Sequence, residues 1–152
     1  LARLDNSTSG EYAQDVANDL RASMQKHAGV FRTQATLDEG VAQIAALRER
    51  VNAIGLKDKS KIFNTARIEA LEVENLIECA QATMVSAAAR RESRGAHTVD
   101  DYADTPEHPN GRNDEQWLKH SLWHSHSNSM TYKPVKLQPL TTESIPPKVR
   151  TF

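Results

Sequence analysis

The chain has 152 residues, 38% of them hydrophobic, and a single cysteine, Cys79. Its 19 lysines and arginines nearly balance 20 aspartates and glutamates, so the net charge is -1, and aromatic residues make up only 5%. This composition excludes the basic surface and the aromatic stacking platforms of nucleic-acid-binding proteins. A single cysteine also excludes an internal disulfide framework and fits a reducing compartment.

Neither a membrane span nor a signal peptide is visible in the sequence. No stretch approaches the roughly 20 apolar residues that cross a bilayer, so we expect no direct membrane insertion. The chain begins at Leu1 without an initiator methionine or an apolar leader. We therefore expect it to be a fragment of a longer protein.

The first two-thirds of the chain predict helices. Residues 1–10 are polar and are expected to be frayed. From Tyr12 onward, apolar residues recur at steps of three and four until Gly29, which predicts one amphipathic helix. A capping box over residues 36–39 and a stripe ending at Gly55 predict a second helix.

The third predicted helix, residues 62–91, is apolar around more than one face. A helix of this kind is buried by more than one neighbour, so we expect it to be the central element of the bundle. Cys79 lies on this helix, and we expect it to be an inert, buried side chain that resists thiol reagents.

Beyond His97 the periodicity is lost. Residues 98–116 are rich in acidic side chains and predict a loop, and residues 117–137 predict a β-hairpin that turns at residues 127–129. Residues 138–152 contain three prolines and predict an extended tail. The expected fold is mainly α: a spectrin-like, up-down-up three-helix bundle over residues 11–97, followed by the loop, the hairpin and the tail.

Few residues suggest chemistry. The six glycines are too dispersed to form a dinucleotide fingerprint or a phosphate-binding loop. His120, His124 and His126 share one side of the predicted strand and could bind a metal, but no further ligand is evident nearby, which favours surface polar side chains. The densest group of charges is residues 90–97, which we interpret as a helix terminator or a binding segment.

Six short motifs, in the same order along the chain, resemble one family. Residues 92–97 read ESRGAH, which is similar to a motif of the succinate dehydrogenase and fumarate reductase flavoproteins. The other five matching segments lie at residues 27–32, 64–76, 113–122, 132–135 and 145–152. The resemblance covers residues 11–152, and the PPKVRTF ending favours the succinate dehydrogenase branch over fumarate reductase and L-aspartate oxidase.

The resemblance implies a specific role. The parent subunit would oxidise succinate to fumarate by passing hydride to a covalently bound FAD, and electrons would cross an iron–sulfur subunit and membrane-anchor subunits to quinone. It would lie peripherally on the cytoplasmic face of the bacterial inner membrane or on the equivalent mitochondrial matrix face.

The same resemblance places the flavin and the catalytic residues outside this chain. We expect no catalytic, cofactor-binding or metal-binding residue here, and an inactive isolated chain. His27, Arg32, Arg94 and His97 are expected to contact the flavin-binding and capping domains of the same subunit. On this view Arg94→Ala barely changes the melting temperature of the chain itself. The alternatives are a stand-alone helical interaction module and a small histidine-rich metal binder.

Overall fold

A computed structural model of the chain describes residues 2–8, 10–102 and 104–148. Three long helices dominate it: α2 (Ala13–His27), α3 (Gln34–Asn52) and α4 (Thr65–Ala89). Each packs against the other two. The expected three-helix bundle is confirmed.

The two later helices begin at side-chain caps. The Thr33 hydroxyl accepts from the Thr36 amide at 3.1 Å, and the Thr36 hydroxyl accepts from the Thr33 amide at 2.9 Å. This reciprocal pair is the capping box of α3, so the prediction that residues 36–39 form the box is wrong by three residues. At α4 the Asn64 side chain accepts from the Arg67 amide at 2.9 Å.

The core lies where one stripe from each long helix meets the others. Its buried apolar side chains include Val16, Leu20, Leu37, Ile44, Val51, Val73, Ile77 and Met84. Gly40 allows the closest approach, because a Cβ there would lie 2.6 Å from both the His27 Cβ and the Met84 Sδ. A larger residue would therefore push the three helices apart.

Residues 2–6 pack against the bundle. Residues Ala2–Asn6 form a short helix, α1, whose Leu4 is 1% exposed. Arg3 donates to the Asn52 carbonyl at 2.9 Å, and Lys59 donates to the Leu4 carbonyl at 2.8 Å. The prediction that residues 1–10 are frayed is therefore wrong for residues 2–6, because burial of Leu4 and these two bonds hold the segment.

Helix α4 is buried on one face only. Ala70, Val73, Ile77, Ala80 and Met84 face the core, but Ile68 and Leu76 are 56% and 45% exposed. Cys79 is also exposed. The prediction that more than one neighbour buries this helix is confirmed, since both α2 and α3 pack against it. The prediction of a buried Cys79 is wrong.

The segment after the bundle is more structured than a plain loop. It contains a 3₁₀ turn at Pro109–Gly111 and the one-turn helix α5 (Asp114–Trp117). Antiparallel strands β1 (Lys119–His124) and β2 (Ser129–Pro134) follow, in a register that pairs Lys119 with Pro134 and His124 with Ser129. The expected hairpin is confirmed, but Trp117 lies in α5, so the first strand starts two residues later.

Residues 135–148 contain no helix or strand, as expected for an extended tail. The last four positions of that predicted tail, 149–152, lie outside the described residues. Within the described part of the chain, no helix combines the length and the apolar character that crossing a membrane requires.

Candidate functional site

Two of the matching motif segments meet at one end of the bundle. Arg32 follows the turn after α2, and its Nη1 lies 3.0 Å from Nδ1 of His97. Its other nitrogens donate to the Gly29 carbonyl at 2.7 Å and the Ala28 carbonyl at 2.9 Å. Arg32 thereby ties the turn after α2 to the segment after α4.

This geometry fixes the protonation of His97. Because a guanidinium can only donate, Nδ1 of His97 must accept, so the ring proton sits on Nε2. Nε2 then donates to the Arg90 carbonyl at 3.0 Å. Burial, together with the positive charges of Arg32 and Arg90, lowers the pKa of His97 although the Arg90 carbonyl opposes the shift. The structure therefore holds His97 as a neutral imidazole.

Glu92 is the most buried charge at this end of the bundle, with 1% of its surface exposed. Its carboxylate accepts from Arg90 Nη1 at 2.7 Å and from Arg94 Nε and Nη2 at 2.7 and 3.0 Å. The Asn113 amide donates a further bond at 2.9 Å. Burial alone would raise the pKa of Glu92, but the bonds from Arg94, Asn113 and Arg90 outweigh it, and the pKa lies below its usual value.

The Glu92 network extends to the surface. Arg94 Nη2 also donates to Asp114 at 2.6 Å, and Arg112 forms a second ion pair with the same carboxylate. The bonds from Arg112 and then Arg94 lower the pKa of Asp114 to about 2 although partial burial acts against them. Glu92 first, and Asp114 with it, raise the pKa of Arg94. All these groups are therefore charged near neutral pH.

Arg90 connects the end of α4 to the hairpin. It donates to the carbonyls of Trp117 and Lys119 at 2.9 and 2.8 Å and to the Ser121 hydroxyl at 3.0 Å. Its guanidinium lies 5.4 Å from the Trp117 ring centroid, within range of a cation–π contact. The position of the hairpin thus depends on the same charged cluster.

The backbone around Arg94 forms a tight turn. Arg94 and His97 exchange two main-chain hydrogen bonds of 2.7 and 3.1 Å around Gly95, which has a φ of +59°. The Ser93 amide donates to the Gly111 carbonyl at 2.8 Å, and the Val99 amide donates to the Ser93 hydroxyl at 3.0 Å. These bonds hold the ESRGAH segment against the loop that follows it.

Three of the four residues expected at an interface lie together. Arg32 is bonded to His97, and Arg94 lies on the other side of the same turn; all three are partly exposed. His27 lies apart from them, with 3% of its surface exposed and Nδ1 2.9 Å from the Ser23 carbonyl. Arg94 is already paired within the chain, so the expectation that Arg94→Ala is silent in the isolated chain does not fit this structure.

Sequence reasoning missed the role of Glu92. The available signal was its spacing: Arg90, Glu92 and Arg94 alternate, and in an extended segment residues two apart lie on the same side. Two cations flanking one carboxylate at that spacing favour an ion-pair cluster. The sequence alone could not show that Asp114 and Asn113 belong to this cluster, because only the fold brings them close to Arg94 and Glu92.

Two apolar side chains next to this cluster are largely exposed in the described structure. Val30 and Phe31, immediately before Arg32, are 79% and 85% exposed. Adjacent exposed apolar residues next to a half-buried polar cluster are typical of a protein–protein contact surface. We call Val30, Phe31, Arg32, Arg94 and His97 the motif surface.

The histidines of the hairpin do not form a metal centre. His120 and His124 lie on the exposed face of β1, as the alternation predicts, whereas His126 lies in the turn. His124 Nε2 is 2.7 Å from the Thr131 hydroxyl. Across the described ranges, no group of three or more histidine, cysteine, aspartate or glutamate side chains could hold a metal ion.

Two of the glycines that the structure describes are not arranged to receive a dinucleotide phosphate. A dinucleotide needs backbone amides of a glycine-rich loop that a phosphate can approach. Here a Cβ at Gly40 would meet His27 and Met84, and a Cβ at Gly111 would lie 1.9 Å from the Tyr102 carbonyl oxygen. The space beside these two glycines is filled by the chain's own atoms, so we assign no step of flavin chemistry to them.

Comparison with known proteins identifies the architecture. A family model described as "Fumarate reductase flavoprotein C-term" matches residues 17–152. The succinate dehydrogenase flavoprotein subunit of Rickettsia conorii is 45% identical over 138 residues, which are 88% of this chain and 22% of that protein. The mitochondrial subunit of Oryza sativa is 39% identical and covers 100% of this chain and 24% of its own length.

A solved structure agrees with these relatives. E. coli quinol fumarate reductase superposes with a TM-score of 0.79 at 27% identity, covering 91% of this chain and 23% of that one. The chain thus spans about a quarter of the length of the proteins that it matches. It belongs to the succinate dehydrogenase and fumarate reductase flavoprotein family, and it corresponds to the C-terminal domain of those proteins.

Proposed function

We propose that this chain serves as the C-terminal helical domain of a succinate dehydrogenase flavoprotein subunit and positions the flavin-bearing part of that subunit. The observation that carries the proposal is the motif surface. Of its polar members, His97 is bonded to the Arg90 carbonyl and Arg94 to Glu92. Arg32 is bonded to His97 and to two carbonyls of the turn after α2. The apolar members, Val30 and Phe31, are exposed. A rigid, partly apolar surface reduces the entropy lost when two domains pack together.

The proposal assigns FAD and the succinate-binding residues to the portion of the subunit that this chain does not contain. The relatives are about four times longer than the matched region, which leaves room for a flavin domain. The chain's own residues would contact that domain through Arg32, Arg94 and His97. Beside Arg94, an open cleft of about 690 Å³ is available to the partner segment.

The further partners are those of the assembled complex. We propose that the subunit joins an iron–sulfur subunit and membrane-anchor subunits, as a peripheral component at the cytoplasmic or mitochondrial matrix face. Fumarate reduction is the second candidate activity. It is favoured by the match to E. coli quinol fumarate reductase and by a Mycobacterium tuberculosis fumarate reductase subunit that is 35% identical.

A chimeric subunit tests the proposal. The segment of the Rickettsia conorii subunit that matches this chain is replaced by this chain, and succinate-dependent dye reduction is measured. We expect an active chimera, and we expect the double variant Val30→Ser/Phe31→Ser to lose activity. Leu122→Thr, on the outer face of the hairpin, is the control and keeps activity. A folded, flavin-containing chimera without activity, or succinate oxidation by the isolated chain, contradicts the proposal.

A further inference from the structure

The carboxy-terminal tail returns to the charged end of the bundle. Residues 135–148 contain no helix or strand, and positions 136–148 are all exposed. Arg112 Nη1 nevertheless donates to the Lys148 carbonyl at 2.9 Å, across 36 positions of sequence. Among the residues that the structure describes, this is the one hydrogen bond that joins the tail to the rest of the chain. A single polar contact therefore holds the described part of the tail.

Arg112 is fixed in place before it reaches the tail. Its Nε donates to Asp114 Oδ1 at 2.7 Å, and its Nη2 pairs with the other oxygen of that carboxylate. Asp114 is held in turn by Arg94 Nη2 at 2.6 Å. Because a guanidinium is planar, two nitrogens bound to one carboxylate leave Nη1 on the far side, directed at the tail. The bond to Lys148 therefore costs little additional side-chain entropy.

The tail meets Arg112 between two open spaces. On one side lies the cavity of about 690 Å³ beside Arg94, and on the other lies a cavity of about 340 Å³ beside Glu107. Arg112 and Lys148 line both of them. The buried apolar core lies within residues 4–99. Release of the tail would therefore widen both cavities and leave the core intact.

The contact at Lys148 is built to be reversible. A single hydrogen bond at a partly exposed site adds little net stability, because water replaces it on opening. Ile145, three residues earlier, is 88% exposed and does not anchor the tail. Pro146 and Pro147 keep the backbone before Lys148 extended. The end of the tail therefore opens and closes as one stiff arm.

We infer that the carboxy-terminal tail is a releasable strap beside this cleft, with the bond from Arg112 to the Lys148 carbonyl as its latch. In the latched state Lys148 forms part of the cavity wall next to Arg94. In the released state the cleft is wider, and Nη1 of Arg112 is free for another acceptor. The strap thereby controls access to the charged cluster. It is a property of the isolated chain, so its test needs no partner domain.

Trypsin reports on the latch, because the carbonyl of a lysine must leave its own partner before it enters the protease active site. Cleavage after Lys148 is compared with cleavage after Lys136, another exposed lysine of the same tail, by mass spectrometry of the shortened chains. Arg112→Gln should raise the rate after Lys148 by about tenfold, the effect of losing one hydrogen bond from a charged group. The rate after Lys136 should stay within about twofold.

A second variant and a matched control keep this result interpretable. In Arg112→Lys the ammonium can still pair with Asp114, but it has no fork to reach the Lys148 carbonyl as well. We expect the same selective acceleration. Arg21→Gln removes an exposed arginine that bonds Asn18 within α2, and it should change neither rate. Unchanged cleavage after Lys148 in both Arg112 variants, or equal acceleration at both lysines, overturns the inference.

Thiol labelling measures the width of the cleft. In the variant Cys79→Ser/Ala96→Cys the single thiol lies in the wall of the cavity beside Arg94. Its rate with N-ethylmaleimide is compared with its rate with a polymer-linked maleimide, which a narrow cleft excludes. Adding Arg112→Gln should raise the rate of the large reagent relative to the small one by at least about threefold. An unchanged ratio shows that the tail does not restrict the cleft and overturns the inference.

Discussion

Arg32 donates a hydrogen bond to Nδ1 of His97 across 3.0 Å, joining two motif segments that are 65 positions apart in the sequence. The bond requires a neutral ring, because a protonated imidazole would present an N–H to a guanidinium N–H. This dependence gives the first prediction, which concerns pH.

Acidification should weaken the fold through His97. Burial and the neighbouring arginines lower its pKa below the ordinary value of 6.5, so below that pH the unfolded chain binds the proton and the folded chain does not. The contribution of His97 to stability is therefore full above about pH 6.5 and declines as the pH falls toward its folded pKa. The free energy of unfolding in urea at about pH 7.5 and about pH 5.5 should fall more in the wild type than in His97→Gln. Equal falls would contradict the assigned tautomer.

Glu92→Gln should destabilise the isolated chain. The side-chain amide of glutamine cannot accept all the hydrogen bonds from Arg90 and Arg94 that the carboxylate accepts. The loss is reduced because both arginines are partly exposed and can hydrogen-bond to water instead. We expect a loss of about 2 kcal/mol in the free energy of unfolding. Arg94→Ala should cost about 1–2 kcal/mol, since Arg90 and Asn113 still serve Glu92. Glu115→Gln, at an exposed position, is the matched control and should change little.

Gly111→Ala should be among the most disruptive single substitutions in the loop. Its φ is +70°, and the added Cβ would overlap the Tyr102 carbonyl oxygen. Gly95 has a similar φ of +59° but open space around it. We therefore expect Gly95→Ala to cost about 1 kcal/mol from strain alone and Gly111→Ala to cost about 3 kcal/mol or more. If urea unfolding gives similar losses of stability for the two variants, the backbone at Gly111 does not lie as close to the Tyr102 carbonyl oxygen as the structure shows.

Cys79 should react readily with thiol reagents in the native isolated chain. It lies on the outer face of α4 and is exposed. We expect a labelling rate within about tenfold of that of the urea-unfolded chain. If Cys79 is labelled only after unfolding, it is buried as the sequence predicts, and the packing described for α4 is wrong.

Helical periodicity was enough to predict the three long helices, and alternation was enough to predict the hairpin. Periodicity reports which faces are apolar, however, and not which of them find a partner within the chain. This explains why Cys79 was expected to be buried and is exposed, as are Ile68 and Leu76 on the same helix.

The other errors have local causes. Helix α1 has five residues and one buried side chain, Leu4, which is too short a pattern for periodicity to detect. The true capping box uses two threonines, Thr33 and Thr36, so the usual Glu or Gln signature pointed to the wrong start. The Glu92 cluster gathers residues 20 or more positions apart, Asp114 among them, and only the fold brings them together.

The central claim is that the motif surface is covered by the rest of the flavoprotein. Amide hydrogen exchange of residues 28–32 and 94–98, measured in the isolated chain and in the Rickettsia conorii chimera, tests it most directly. The account predicts exchange at least about tenfold slower in the chimera at both segments, while the exposed turn at residues 125–128 is unchanged. Equally fast exchange at residues 28–32 and 94–98 in both proteins would contradict it.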